Sequence, residues 1–566
     1  MRLRLAFVAL ATMLAVFATR LFELQALDPA GYAETAVTHR LNTVEILAPR
    51  GDILDRSGVP LARTVDSRRV VADPLLVLDP AGTANLVAPM LDADPAVLTE
   101  KLTYDGHTRW VSLASHVAPA TWREISKLDL PGIFSEPQPR RTYPSNQIAA
   151  NVIGFVGADG NGLAGLEQAM EDQLSGTNGE RTYERTPMGD VPIATAGESG
   201  RKAVPGHDVT LTIDRDLQWF AQQSIAKAVK TAGAEAGYVI VMVPSTGEIL
   251  AMATTPTYDP NRPGKSKTAD RGNRALTDVY EPGSTAKVLT AAAAIEEGVV
   301  TPATKLTIPG TLNRSDATFH DHKPHGTWRL TYAGAVAKSS NLGTILVAEQ
   351  FPASTLASYL KRFGLGRSSG LGLPGEGKGI VAPVDTWSGT QRYTIPFGQG
   401  LSVTALQAAS VYATIANGGE RVRPQLVKGV TDATGRYVPA PAPERTRVVS
   451  SKTARMVTHM LESVVSEEGT APTAAIPGYR VAGKTGTAER YDERCRGYCG
   501  YTASFIGFAP ADDPAVVVAC TIQNPVNGRF GGQLCGPVFT EVMKFALVSM
   551  KVPPTGTKPP RLRLTW

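Results

Sequence analysis

The chain lacks the features that mark several specialised classes of protein. Its 566 residues include only four cysteines, too few for a disulfide-based scaffold. Its 57 Lys and Arg against 52 Asp and Glu leave a net charge of +5, and no polybasic tract lies in its body, so nucleic-acid binding is not indicated. Because 43% of the residues are hydrophobic, global disorder is excluded as well. What remains is a globular chain, long enough for roughly two to four domains.

One apolar run of spanning length is present, and it lies at the N-terminus. Behind two arginines, apolar residues extend over 5–22, which is about enough for one transmembrane helix. The positive flank predicts a cytoplasmic tail at residues 1–4, an anchor at 5–22 and a location outside the membrane for the rest. A cleaved signal peptide is the alternative, because Val16-Phe17-Ala18 has small residues at suitable offsets. We favour the uncleaved anchor, since the apolar pattern continues through Leu24 and Leu27 as one amphipathic helix.

Beyond the anchor, the sequence has two regions of different pattern. Residues 23–205 are rich in short strands and turns and contain no catalytic cluster. Residues 206–550 carry strand pairs near both ends, around a helical middle, and close with a helix from Val538 to Ser549. Strand pairs so distant in sequence predict a single antiparallel sheet flanked by helices, an α+β fold. The proline-rich residues 551–566 are expected to be extended.

The residues that suggest chemistry begin at Ser284-Thr285-Ala286-Lys287, which follows Pro-Gly and opens a strongly helix-forming stretch. The first turn of a helix offers free N–H groups, which favour a developing oxyanion near Ser284. Lys287 lies three residues further on and so on the same face. It can act as the base for a serine only if its pKa falls from about 10.4 toward neutrality. Burial and a second nearby cation would both lower that pKa.

Ser-x-x-Lys alone is weak evidence, because the pattern also starts at Ser199, Ser224 and Ser358. Only Ser284 stands at a helix start behind Pro-Gly. Two companion motifs strengthen the signal: Ser339-Ser340-Asn341 and, further on, Lys484-Thr485-Gly486-Thr487. Each companion occurs once in the chain.

The three motifs in this order are the signature of penicillin-recognising serine transpeptidases and β-lactamases. The chain resembles the class B penicillin-binding proteins over nearly its whole length. Further landmarks of that class are the turn that starts at Arg50-Gly51, Gly165-Leu166-Glu167, and Phe397-Gly398-Gln399-Gly400. The segment from Ala503 to Pro510 is most similar to the septal, FtsI-like cell-division members. The resemblance implies that 23–205 is a pedestal, or dimerisation-like, domain and that 206–550 is a transpeptidase domain.

The resemblance also implies a role for each motif residue. Ser284 would attack the carbonyl of the penultimate D-Ala of a peptidoglycan stem peptide, and Lys287 would be its general base. Ser339 would relay protons toward the leaving D-Ala, while Asn341 would hydrogen-bond the substrate's amide and help to place Lys287.

On the Lys-Thr-Gly strand, Lys484 would supply positive field, and Thr485 and Thr487 would bind the substrate's terminal carboxylate. The backbone N–H groups of Ser284 and Thr487 would form the oxyanion hole. At Gly486, a side chain would block a substrate that lies as an extra strand along this edge.

Three other patterns are weaker. The stretch Gly478 to Thr485 matches a phosphate loop, but its middle, Tyr479 to Ala482, reads as a strand, so nucleotide binding is not expected. The histidines of the segment 320–325 have metal-like spacing, yet a polar loop near the cleft explains them and no metal is expected. Four cysteines allow three pairings, of which we favour Cys495 with Cys499, with zinc as the alternative.

These expectations describe a membrane-anchored D,D-transpeptidase of septal cell-wall synthesis that is acylated by β-lactams and needs no cofactor. The implied partners are stem peptides, the cytoplasmic membrane, a SEDS-type glycosyltransferase and other division proteins. The rival activities are a D,D-carboxypeptidase or β-lactamase on the same domain, or a β-lactam sensor. A hydrolase needs neither pedestal nor anchor, and a sensor needs more signalling apparatus than residues 1–4 provide.

Overall fold

The computed structural model describes residues 2–23, 41–186, 189–192, 199–492 and 495–566. The chain divides into two compact units, each with its own apolar core. The first consists of Met1–Arg50, Val65–Arg140 and Ser175–Gly206, and the second of Gly51–Thr64, Arg141–Leu174 and His207–Trp566. Two segments of the N-terminal third thus belong to the second unit. The domain limits that the sequence predicts, at residues 205 and 550, stay a prediction.

The first unit begins with the helix Arg2–Phe22. Its segment Leu3–Phe22 is exposed along its whole length and is long and apolar enough to cross a membrane. The expected apolar helix at residues 5–22 is therefore confirmed. Its predicted continuation through Leu24 and Leu27 lies outside the described residues.

The rest of the first unit is strand-rich, as predicted. A central strand, Arg68–Ala72, pairs antiparallel with Val111–Val117 on one side and Ile133–Pro137 on the other. Further strands are Leu41–Ile46, Gly179–Thr186, Gly189–Pro192 and Ser199–Arg201, and the helices are Pro80–Leu91, Pro95–Leu102 and Pro119–Ser126. The first two helices begin behind Asp79 and Asp94, whose carboxylates accept backbone N–H groups of the first turn.

The second unit is built around a five-stranded antiparallel sheet. Its strands, in spatial order, are Ile249–Thr255, Ala236–Met242, Val516–Gln523, Gly497–Ala509 and Ala482–Asp492. Ala236 pairs with Gln523, so two hairpins that lie far apart in sequence form one sheet, as the sequence predicts. Ala482–Asp492, hereafter the edge strand, pairs only with Gly497–Ala509 within the described part of the chain.

Helices flank this sheet. Arg215–Ala232 and Gly531–Ser549 pack against it and against each other, with Phe220 stacked on Phe545. Ala405–Ala416 also packs against the sheet, and all of its residues are buried. The longer remaining helices are Lys287–Glu296, Asn341–Ala348, Ala353–Arg362 and Ser451–Val465. The shorter ones are Ala150–Ile153, Gly165–Ala169, Glu171–Leu174, Thr268–Arg271, Arg274–Thr277, Tyr332–Ala337 and Gln391–Thr394.

The remaining strands of the second unit form further sheets. A six-stranded sheet consists, in spatial order, of Tyr437–Pro439, Val427–Thr431, Asp208–Leu211, Ile53–Leu54, Pro60–Val65 and Arg140–Thr142. Three two-stranded sheets join Lys305–Ile308 with Trp328–Thr331, Leu312–Arg314 with Ala317–Phe319, and Glu420–Val422 with Arg445–Arg447.

Three local predictions are wrong. Ser284 lies in a 3₁₀ turn, Gly283–Ala286, and not in the first α-helical turn, which starts at Lys287. Tyr479 lies in a turn before the edge strand, because its N–H bonds to the carbonyl of Ile476. The last helix begins at Gly531 and passes through Pro537. A Cβ on Gly531 would lie 2.1 Å from the carbonyl oxygen of Ser504, so this glycine lets the helix start close to the sheet.

Candidate active site

The turn that carries Ser284 is held between a loop and the edge strand. The N–H of Gly283 donates to the carbonyl of Gly398 at 2.9 Å, and a Cβ on Gly398 would lie only 2.1 Å from the carbonyl oxygen of Gly283. On the other side, a Cβ on Gly283 would lie 3.4 Å from the carbonyl oxygen of Thr487. Ser284 is partly exposed, and its hydroxyl has no hydrogen-bond partner among the described residues. The hydroxyl is therefore free to react.

The other Ser-x-x-Lys serines lie in different settings. Ser224 is buried in the helix Arg215–Ala232 and donates to Glu541 at 3.4 Å, while Ser358 lies on the helix Ala353–Arg362. Neither precedes a helix, as Ser284 does. The phosphate-loop match also has the wrong geometry, because Lys484 and Thr485 lie inside a strand.

Lys287 is buried beside the second motif. Its side chain is 1% exposed, and its Nζ donates to the carbonyl of Ser339 at 2.5 Å and to Oδ1 of Asn341 at 2.8 Å. Burial lowers the pKa of Lys287 from 10.5 to about 7, and the nearby carboxylate of Asp321 opposes part of that decrease. An amine with a pKa of about 7 is neutral in roughly half of the molecules at pH 7, and the neutral form can accept a proton.

Ser339 links two lysines. Its hydroxyl accepts from Lys484 Nζ at 2.8 Å and from Lys287 Nζ at 3.3 Å. Its backbone has a positive φ of 60°, uncommon for a residue with a side chain, and its carbonyl still reaches Lys287. Lys484 is fully buried, and burial together with the positive charge of Lys287 holds its pKa well below the usual value. The second-cation effect expected for Lys287 therefore acts on Lys484.

The edge strand presents the third motif. The hydroxyl of Thr485 lies 3.3 Å from Lys484 Nζ and 3.0 Å from the hydroxyl of Thr470. The hydroxyl of Thr487 accepts the N–H of Gly531 at 3.2 Å. Two hydroxyls two residues apart on the same edge, next to an amine, form a site suited to a carboxylate.

Gly486 has a structural role besides the one predicted from the sequence, which stays a prediction. A Cβ there would lie 2.3 Å from the hydroxyl of Ser504 and 3.0 Å from the carbonyl of Pro282. The glycine thus allows the edge strand to approach the Ser284 turn, and the nearest obstruction is inside the protein.

Asp321 is a residue that sequence reasoning missed. It is buried, and its carboxylate accepts from the N–H of Asn341 at 2.5 Å, the hydroxyl of Ser340 at 2.6 Å and Nε2 of His325 at 3.0 Å. It thereby fixes the turn that contains Ser339. Within the described ranges, no group of three or more His, Cys, Asp or Glu side chains could hold a metal ion. No feature of a single sequence marks this aspartate among its polar neighbours.

Glu281 was missed as well. Its Oε1 accepts from the N–H of Gly400 and from the hydroxyl of Tyr498, each at 3.0 Å, and burial raises its pKa. Tyr498 belongs to the hairpin between the edge strand and its neighbour, where a disulfide joins Cys495 and Cys499. This is the pairing that the sequence favours. Glu281 therefore connects the disulfide-bearing hairpin to the segment just before Ser284.

Comparison with known protein families agrees with this arrangement. Residues 237–544 match the penicillin-binding protein transpeptidase domain, and residues 45–211 match the penicillin-binding protein dimerisation domain. The chain belongs to the class B penicillin-binding proteins.

Individual relatives are similar over nearly the full length. Penicillin-binding protein PbpB of Mycolicibacterium smegmatis is 35% identical over 98% of this chain and 91% of the relative. Peptidoglycan D,D-transpeptidase FtsI of Escherichia coli is 36% identical over 96% of this chain and 92% of the relative. Among solved structures, penicillin-binding protein 3 from Mycobacterium tuberculosis, complexed with aztreonam, superimposes with a TM-score of 0.73 at 32% identity, covering 92% of this chain and 100% of that one.

Proposed function

We propose that this protein is a peptidoglycan D,D-transpeptidase that works through an acyl-enzyme on Ser284 and is acylated by β-lactams. The observation that carries the proposal is the hydroxyl of Ser339, which accepts hydrogen bonds from both Lys287 and Lys484 beside the Ser284 turn. One relative is named a peptidoglycan D,D-transpeptidase, and the structure of another is described as complexed with aztreonam.

In the first half of the reaction, the neutral amine of Lys287 takes the proton of the Ser284 hydroxyl, and the oxygen attacks the carbonyl carbon of the penultimate D-Ala. The N–H groups of Ser284 and Thr487 stabilise the oxyanion, a contribution of about 3 kcal/mol per donor. Their closeness is supported by the space beside Gly283, where an added Cβ would lie 3.4 Å from the carbonyl oxygen of Thr487. The C–N bond then breaks, and Ser339 passes a proton to the departing D-Ala amine.

In the second half, an amine of a neighbouring stem peptide attacks the Ser284 ester. The attacking amine gives up one proton to Lys287 as the new amide bond forms, the ester C–O bond breaks, and Lys287 returns that proton to the Ser284 oxygen. Asn341 holds Lys287 in place through Oδ1 at 2.8 Å during both halves. In the first half, the terminal carboxylate of the donor peptide lies at Thr485 and Thr487, beside Lys484, and it leaves with the D-Ala.

The setting of the reaction also belongs to the proposal. The apolar helix anchors the protein in the cytoplasmic membrane as a single pass, with the catalytic domain on the extracytoplasmic side. The resemblance to FtsI and PbpB supports a role in septal synthesis at the division site. There a SEDS-type glycosyltransferase would supply the glycan strands that this protein cross-links, alongside other division proteins.

The test is mass spectrometry of the full-length protein after incubation with benzylpenicillin. We expect one penicilloyl adduct, on Ser284, that persists for minutes or longer, because an amine oriented in the cleft has an effective concentration that water lacks. Ser284→Ala should abolish the adduct, and the matched control Ser224→Ala should keep it. An adduct on another serine would refute the nucleophile, and rapid multiple turnover without an adduct would favour a β-lactamase.

A further inference from the structure

The end of the chain adds a strand to a small sheet in the second unit. Thr565 bridges to Leu330, and the N–H of Trp566 donates to the carbonyl of Arg329 at 3.2 Å. We call Arg561–Trp566 the tail segment. It lies along Trp328–Thr331, whose other side pairs with Lys305–Ile308. The extended conformation expected for the proline-rich end is therefore a docked one here.

Trp566 anchors the tail segment through its side chain. Its indole Nε1 donates to the carbonyl of Leu306 at 3.2 Å. The ammonium of Lys305 lies 5.0 Å from the ring centroid, and the guanidinium of Arg329 lies 5.7 Å from it. Cations at these distances are attracted to the face of an indole ring and help to hold it in place.

The docked tail contacts the helix that leads to Ser339. The hydroxyl of Thr331 caps the helix Tyr332–Ala337 by accepting the N–H of Gly334 and also donates to the carbonyl of Arg563 at 2.6 Å. A Cβ on Gly334 would lie 2.0 Å from the carbonyl oxygen of Leu564, so this helix position must be glycine while the tail is docked. The helix ends directly before the turn that contains Ser339.

Residues before the tail segment contact the turn that precedes the edge strand. The hydroxyl of Tyr479 donates to the carbonyl of Val552 at 2.7 Å, and Arg480 Nη1 donates to the hydroxyl of Thr557 at 3.0 Å. The C-terminal stretch therefore connects the start of the strand that carries Lys484 with the helix that leads to Ser339. These are the two elements joined in the site by the 2.8 Å hydrogen bond from Lys484 to Ser339.

We propose that the tail segment positions the Ser339-Ser340-Asn341 turn against Lys484 and Lys287, with Trp566 as its anchor. The inference rests on the proposed function, because it assigns the tail a role in acylation of Ser284. Trp566 is thus a positioning residue that acts through the helix Tyr332–Ala337 and touches neither substrate nor reacting atoms.

The test compares Trp566→Ala with the matched control Trp219→Ala, which removes an exposed tryptophan from the helix Arg215–Ala232. Acylation of the full-length protein is followed over time and over benzylpenicillin concentration. For Trp566→Ala we expect the maximal acylation rate to fall about tenfold, since small misplacements of catalytic groups cost rate steeply. The apparent dissociation constant and the final yield of one adduct per protein should stay unchanged.

A second variant separates positioning from loss of fold. Gly334→Ala displaces the Leu564 carbonyl while it raises intrinsic helix propensity, so an effect on helix stability alone would not slow acylation. We expect it to slow acylation as Trp566→Ala does, and the double variant to be no slower than either single one.

Three results would overturn the inference: an unchanged rate in Trp566→Ala, a lower adduct yield at an unchanged rate, or additive losses in the double variant. If the unmodified protein formed no adduct on Ser284, the proposed function would fail together with this inference.

Discussion

Under the proposed mechanism, acylation should follow the protonation state of Lys287, whose pKa burial lowers to about 7. Lowering the pKa of this amine from 10.5 to about 7 corresponds to roughly 5 kcal/mol in favour of the neutral form. Near pH 7.5, about three quarters of the molecules then hold a neutral amine, against about one in a thousand for an ordinary lysine. The rate of Ser284 acylation should therefore rise about tenfold per pH unit below about 7 and level off above it.

The contribution of Lys287 to folding stability has the same origin and a defined sign. In the unfolded chain the amine keeps its proton up to about pH 10.5, whereas in the folded protein it loses the proton near pH 7. The unfolded state binds more protons across this window, so the contribution of Lys287 to the free energy of unfolding increases with pH there. Below about pH 7 both states are protonated, and the full cost of burying the cation remains.

The variant that tests this pH dependence is Asp321→Asn, which keeps the size of the side chain and removes its charge. The carboxylate raises the pKa of Lys287 against the effect of burial, so its loss should move the inflection of the acylation profile to lower pH. Two other titratable groups near this site are the same in both proteins. They are His325, which contacts Asp321, and Lys484, which contacts the Ser339 hydroxyl.

The assay measures the acylation rate constant with benzylpenicillin from about pH 5.5 to about pH 9, where the carboxylate of the inhibitor stays ionised. Unmodified protein should react about thirtyfold faster near pH 8 than near pH 5.5. A flat profile, an inflection near the ordinary lysine pKa, or a shift to higher pH in Asp321→Asn would each contradict the role given to Lys287.

Two further predictions concern packing. Gly486→Ala should reduce acylation severely, since its Cβ would meet the hydroxyl of Ser504 at 2.3 Å. The control Gly326→Ala should react normally, because a Cβ there meets nothing within 4 Å. The time course of adduct formation distinguishes the two variants. Glu167→Gln should lower the free energy of unfolding by about 3 kcal/mol, because it removes the carboxylate charge that lies 2.7 Å from the buried guanidinium of Arg141. Denaturant unfolding measures this loss, and a change below about 0.5 kcal/mol would contradict the prediction.

Much of the fold could be predicted because the decisive signals are local. The strand pairs near Tyr238 and Tyr501 are short apolar runs separated by turn residues, and Asp214 marks the start of the helix Arg215–Ala232 by its capping chemistry. Tyr479 misled the prediction, because its apolar neighbours resemble a strand while its hydroxyl is held by the carbonyl of Val552, far away in sequence. The start of the last helix was missed since proline and glycine normally argue against a helix.

The same difference between local and long-range sequence signals applies to the candidate site. The three motifs could be found because each is a short run of residues with one spacing. Asp321 and Glu281 act through partners that lie many residues away, and no spacing rule connects them to Ser340 or to Tyr498. For Gly486, the prediction considered only the open side of the strand, whereas the tight contacts are with Ser504 and Pro282.

The electrostatics of Lys287 and Lys484 bear on which of the two lysines acts as the base and which carries the positive charge. Lys287 and Lys484 share one hydroxyl acceptor, and burial together with mutual repulsion disfavours two charges. A carboxylate bound at Thr485 and Thr487 would compensate one positive charge, and Lys484 lies beside Thr485 at 3.3 Å. Substrate binding should therefore favour a protonated Lys484 and leave Lys287 neutral. In the proposed mechanism, Lys484 would then supply the positive field and Lys287 the base.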